Sequence, residues 1–118
     1  MAKKLTGEVA GKLLGDVPSE NAFYVEGNNR ITNLEGLCQV LEEMDEGQFS
    51  CYRNNEKNDF YNWIMLVIGD IRLANDLARA KTKQTTLKKV KQRVVTLKKI
   101  RGDGDGKRSF AKSTTNES

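Results

Sequence analysis

Apolar residues recur along most of this chain at intervals of three and four, the spacing that lines one face of an α-helix. The clearest stripe is Leu34, Leu37, Cys38, Leu41 and Met44, with Glu35, Glu42 and Glu43 lying off it. Asn33 stands just ahead as an N-cap, because its side chain can accept from an otherwise orphaned first-turn amide. A second stripe runs Phe60, Trp63, Ile64, Val67 and Ile68. Asn58 or Asp59 opens it, and Gly69 closes it where a left-handed residue is wanted. Asp70 caps a third helix bearing Leu73, Ala74, Leu77 and Ala78, and Thr82 caps a fourth that runs to about Ile100. Near the start, Thr6 precedes Val9, Ala10, Leu13 and Leu14, predicting a short helix over 5–14. That helix ends before Gly15 and Pro18, since the residue preceding proline is pushed out of helical geometry.

Two stretches break the helical period. In FYVEGNNRI, β-favouring runs flank Gly27, Asn28 and Asn29, residue types that tolerate positive φ, so a β-hairpin is predicted near residues 23–32. A hairpin alone is marginal in water and must lie against helices. Phe49 and Tyr52 are placed on a short turn between helices. From Gly102 onward, glycine, serine and charge accompany a single Phe110, the composition of a flexible tail. The predicted fold is mainly α: a small helical domain of about five helices with one β-hairpin and a long basic C-terminal helix. A single domain over residues 1–101 comprises a core over 23–80 and a basic helix over 82–101. Residues 102–118 form the tail.

The run from Phe23 to Leu77 also carries recognisable strings. An aromatic strand and glycine turn lead into I-T-N-L-E-G-L (Ile31 to Leu37), followed by an aromatic at Phe49. E-K-N-D-F-Y-N-W-I (Glu56 to Ile64) comes next, then G-D and L-A at Gly69, Asp70, Leu73 and Ala74. In these strings the chain resembles an uncharacterised small domain of archaeal and bacterial proteins with a K-N-D-F-x-N-W-I signature. The resemblance covers about half the chain and implies a fold class, since that family brings no agreed activity. A histidine is common in the family where this chain has Tyr52, and an aliphatic residue where it has Arg53.

Charge changes the picture more than composition does. Residues 1–78 hold 7 Lys/Arg against 13 Asp/Glu, whereas residues 79–108 hold 12 against 2. An acidic body therefore carries a basic arm, an asymmetry that points to an anionic partner. No histidine is present, which removes the commonest general base near neutral pH and argues against an enzyme. Two cysteines without histidine cannot build a four-ligand zinc site. DGDG at Asp103 to Gly106 fails as a calcium loop, because Lys107 and Thr114 occupy liganding positions. The same stretch fails as a phosphate loop, with Arg101 in place of the first glycine and Arg108 in place of Ser or Thr. No cofactor is expected. No apolar run approaches a membrane span or a signal sequence, so a reduced, cytoplasmic protein is expected.

The KNDF string reads as helix capping, with Asp59 and Asn58 satisfying first-turn amides, ahead of a ligand site. The sharper feature is LKKVKQRVVTLKKIR, residues 87–101: seven cations and no acid. Leu87, Val90, Val94 and Leu97 form a seam directed at a packing partner, either the body of the chain or a second copy. Around it stand cations without the i,i+4 acid partners that a merely solvated face normally mixes in. Two readings follow. In the first, Lys83, Lys88, Lys89, Lys91, Arg93, Lys98, Lys99 and Arg101, with Lys107 and Arg108 of the tail, contact nucleic-acid phosphate. Lysine outnumbers arginine and no aromatic is interleaved, so backbone contact on duplex DNA or structured RNA is expected, with little sequence preference. In the second, the helix is a protein–protein or homodimer module whose charge docks on acidic protein. A membrane surface is disfavoured by the absence of Trp or Phe on this helix.

Overall fold

The computed structural model describes residues 5–27 and 29–102 and is mainly helical with one two-stranded hairpin. α1 (Gly7–Leu14) starts at Thr6, whose hydroxyl accepts from the Val9 amide at 3.2 Å. A single 3-10 turn at Ser19–Asn21 leads to β1 (Phe23–Val25) and β2 (Asn29–Ile31), which pair antiparallel with Phe23 opposite Ile31. α2 (Leu34–Glu43) opens at Asn33, as its sequence predicts, with a 2.7 Å bond from the Gly36 amide.

Two elements depart from expectation. Where a turn was expected, α3 (Glu46–Tyr52) forms. Asp45 accepts from the Gln48 amide at 2.8 Å and so starts a helix, with Phe49 buried on its inner side. The next expected helix is split into α4 (Asp59–Trp63) and a π-helical turn, Ile64–Ile68. The wider turn ends where the Gly69 amide donates to the Ile64 carbonyl at 2.8 Å. Ile64 stays fully buried, but Val67 and Ile68 are only half-buried and Leu66 is exposed. Gly69 sits at φ +85°, in the left-handed region predicted for it. Among the described residues there are thus six α-helices, where the sequence pattern predicted about five.

α5 (Ile71–Arg79) begins at Asp70 and α6 (Lys83–Arg101) at Thr82, whose hydroxyl accepts from the Thr85 amide at 3.0 Å. α6 packs across α1, α2 and α5. Val90, Val94 and Leu97 are buried there, with Leu87 half-buried at the edge of the seam. The apolar seam is therefore filled by the chain's own helices, one of the two packing partners that the sequence left open. Close approach helps: a Cβ at Gly7 would lie 3.3 Å from the Ile100 carbonyl oxygen. Gly102 ends α6 at φ +104°. The remainder of the predicted tail, with Lys107 and Arg108, lies outside the described residues.

At the other end of the core, Phe23, Phe49, Tyr52, Phe60 and Trp63 meet with ring centroids 5.3 to 6.0 Å apart. The indole N–H of Trp63 is satisfied by the Asn21 carbonyl at 2.9 Å. Asn58, rather than Asp59, is the cap of α4: it accepts from the Tyr61 amide at 3.0 Å and donates to the Leu77 carbonyl at 2.9 Å. Asp59 pairs with Lys57. The KNDF string thus ties α4 to α5.

Candidate nucleic-acid interface

The eight cations of α6 fall into three groups, because a helix that buries one stripe presents two flanks and one outward face. On the flank facing α2, Lys91 bonds Glu42 at 2.5 Å and Lys98 bonds Glu35. The hydrogen bond and charge of Glu42 hold the Lys91 ammonium above its ordinary pKa. On the flank facing α5, Arg93 makes a two-pronged pair with Asp70, Nε to Oδ2 at 2.7 Å and Nη2 to Oδ1 at 3.0 Å. Asp70 is 2% exposed and also accepts from the Leu73 amide at 3.1 Å, so one carboxylate caps α5 and locks α6 against it. Lys91, Arg93 and Lys98 therefore have carboxylate partners within the chain. The chain itself thus supplies each of these three with an opposite charge at contact distance.

The outward face is different. Gln84, Lys88, Gln92, Val95 and Lys99 follow one another at helical spacing and all are exposed. Lys88 and Lys99, together with half-buried Lys83 and Lys89, have no carboxylate partner among the described residues. Arg101 lies along α1, where a Cβ at Gly11 would be 3.5 Å from its Cδ. Arg79 and Lys81 extend the exposed positive charge to the α5–α6 junction. There the Arg53 guanidinium donates to the carbonyls of Ala80 at 3.0 Å and Ala78 at 3.3 Å, capping the end of α5.

Sequence reasoning missed Arg72. It stands on α5, outside the acid-free run, and faces a groove of about 320 Å³ between α5 and α6. Arg72, Asp76, Lys89, Gln92, Arg93 and Thr96 line it. Its cationic character comes from two helices at once, so no single-helix pattern reveals it.

The clustered acids between α2 and α3 have structural partners. Glu42 pairs with Lys91, Asp45 caps α3, and Glu46 accepts from the Gln84 amide group at 3.0 Å. Burial, with Glu42 adding to it, pushes the Cys38 thiol up to about 11. No group of three or more metal-binding side chains occurs among the described residues. Nor is any described helix long and apolar enough to cross a membrane. No family model, curated protein or solved structure matches this chain.

Proposed function

We propose that this small helical domain binds the phosphate backbone of nucleic acid, duplex DNA or structured RNA, through the outward face of α6. The observation that carries the reading is the row from Gln84 to Lys99, on which Lys88 and Lys99 stand exposed and no acid intervenes. Eleven residues of helix separate those two lysines by about 16 Å, close to five base-pair rises along one strand. Lys83 and Lys89 widen the row toward its start. Absence of an aromatic on this face favours backbone contact over base stacking.

The test is a duplex binding isotherm at several salt concentrations. With Lys83, Lys88, Lys89 and Lys99 each meeting one phosphate, log Kd against log salt should have a slope magnitude of about 3.6. Exchanging Lys88 and Lys99 for Gln together should lower that magnitude by about 2. The same exchange at Lys91 and Lys98, which already face Glu42 and Glu35, should change it much less. An affinity indifferent to salt removes the proposal.

A second reading has its own support. The ion pairs of Lys91, Lys98 and Arg93 favour a role in which the charge docks α6 on acidic protein, here its own body. Under that reading added salt weakens folding while no duplex is bound.

A further inference from the structure

The groove between α5 and α6 has a chemistry of its own. Lys89, Gln92, Arg93 and Thr96 fall three and four residues apart on α6, so their side chains share one flank. Arg72 and Asp76 are four apart on the facing helix. A guanidinium has five N–H donors in a rigid fork. Asp70 takes one from Nε and one from Nη2 of Arg93, which leaves three donors in a plane that a buried carboxylate fixes. Arg72 and Lys89 are without carboxylate partners among the described residues. The acid at the groove, Asp76, is held by Arg79 at 3.6 Å. No aromatic lines the cavity, so it offers nothing to a base or a ring.

We propose that this groove seats a single phosphate group. Arg93 supplies the pre-oriented donors, the Thr96 hydroxyl and Gln92 amide supply neutral ones, and Arg72 and Lys89 close over the charge from both helices. Planar donors held in place recognise a phosphate better than a free ammonium does, because little rotamer freedom is lost on binding. This inference rests on the phosphate-binding reading above and deepens it. The outward lysines follow a strand, and the groove fixes one of its phosphates. A free phosphomonoester offers the same chemistry without the strand.

Nitrogen–proton NMR of the full chain separates the possibilities, with inorganic phosphate and a short DNA duplex titrated in turn. The Arg93 Nε–H and the Thr96 amide should shift saturably with both. Arg93 itself is left intact, since its loss would strand buried Asp70. Instead, Arg72→Gln with Lys89→Gln should weaken phosphate binding about a hundredfold, roughly tenfold for each charge-assisted hydrogen bond lost. Asp76→Asn should tighten it about threefold by removing a nearby like charge. Lys99→Gln, on the outward face, should leave it within about twofold. Phosphate shifts that persist undiminished in the Arg72/Lys89 variant, or their absence at Arg93 and Thr96 in the wild type, overturn the seat. If the duplex binds through Lys88 and Lys99 but leaves Arg93 and Thr96 unmoved, the seat falls while the strand reading stands. If phosphate binds and the duplex does not, the seat stands and its ligand is a free phosphate.

Discussion

Replacing Asp70 by alanine should be among the most damaging single changes this protein can suffer. The carboxylate is 2% exposed and makes three bonds: to the Leu73 amide at 3.1 Å and to Arg93 at 2.7 and 3.0 Å. Losing the cap costs about 1 kcal/mol. Stranding the Arg93 guanidinium, whose side chain is only 15% exposed, costs more. Breaking a buried pair from one side runs about 3–5 kcal/mol, and the groove edge of Arg93 places it near the lower bound. A total of about 4 kcal/mol is a large share of the roughly 5–15 kcal/mol that holds a domain together. Asp70→Asn keeps the capping oxygen but loses the charge and turns an NH2 donor toward the Arg93 Nε–H, so it should cost about 3 kcal/mol. Asp70→Asn combined with Arg93→Met removes both charges and should return to within about 1 kcal/mol of wild type. Urea unfolding followed by far-UV circular dichroism, extrapolated linearly, measures each term. A loss below about 1 kcal/mol for Asp70→Ala, or no recovery in the double variant, would refute the claim that this pair locks α5 to α6.

Two other measurements probe the frame around it. Gly69→Ala should destabilise by about 1 kcal/mol in the same urea assay. At φ +85° with nothing within 4 Å of an added Cβ, the penalty is purely conformational, and Gly69→Asn should recover part of it. Cys38 should make stability fall on the alkaline side, because its thiol is pushed from 9.0 to about 11, chiefly by burial. Below pH 9.0 folded and unfolded chains both keep that proton. Above it the unfolded chain gives the proton up first, so this group's share of stability drains away as pH rises toward 11. The urea midpoint of Cys38→Ala should therefore decline less steeply than that of wild type between those limits. Parallel declines would exclude the effect.

Much of the frame is legible in the sequence because local signals agree with one another. Asn33, Asp70 and Thr82 each stand at the head of an apolar stripe, and each caps the helix it heads. Gly69 and Gly102 stand where left-handed caps belong. What stays hidden is of two kinds. One is competition within a short segment: Asp45 reads as one of a cluster of acids, yet it is a cap, and the apolar run Ile64–Ile68 gives no hint of π geometry because every residue in it is apolar. The other is long-range pairing. Nothing near Arg93 in the chain announces Asp70, and Arg72 joins the groove only once two helices lie side by side.

The lysines of α6 face two different demands, and the register of the fold separates them. Glu35 and Glu42 lie two turns apart on α2, as Lys91 and Lys98 do on α6, and Glu35 meets Lys98 while Glu42 meets Lys91. The two helices therefore run antiparallel with matched repeats, and these cations serve to fix how α6 lies on the acidic body. Docking alone would leave the outward row free to carry acids, which would add small i,i+4 increments to the helix. It carries none. Lys88 and Lys99 repel their neighbours without gaining anything from α2 or α5; Lys99, in the last turn, gains a little from the helix dipole, but a helix that only needed to dock would be no less stable with Glu at Lys88. The positive charge that the body does not neutralise is therefore directed outward, where the proposed polyanion would meet it. Exchanging Lys88 and Lys99 for Glu should leave the fold intact, losing only the small dipole gain at Lys99, and abolish duplex binding in a gel-shift titration. A variant that still retards duplex at wild-type concentrations would mean that the outward row is not the binding surface.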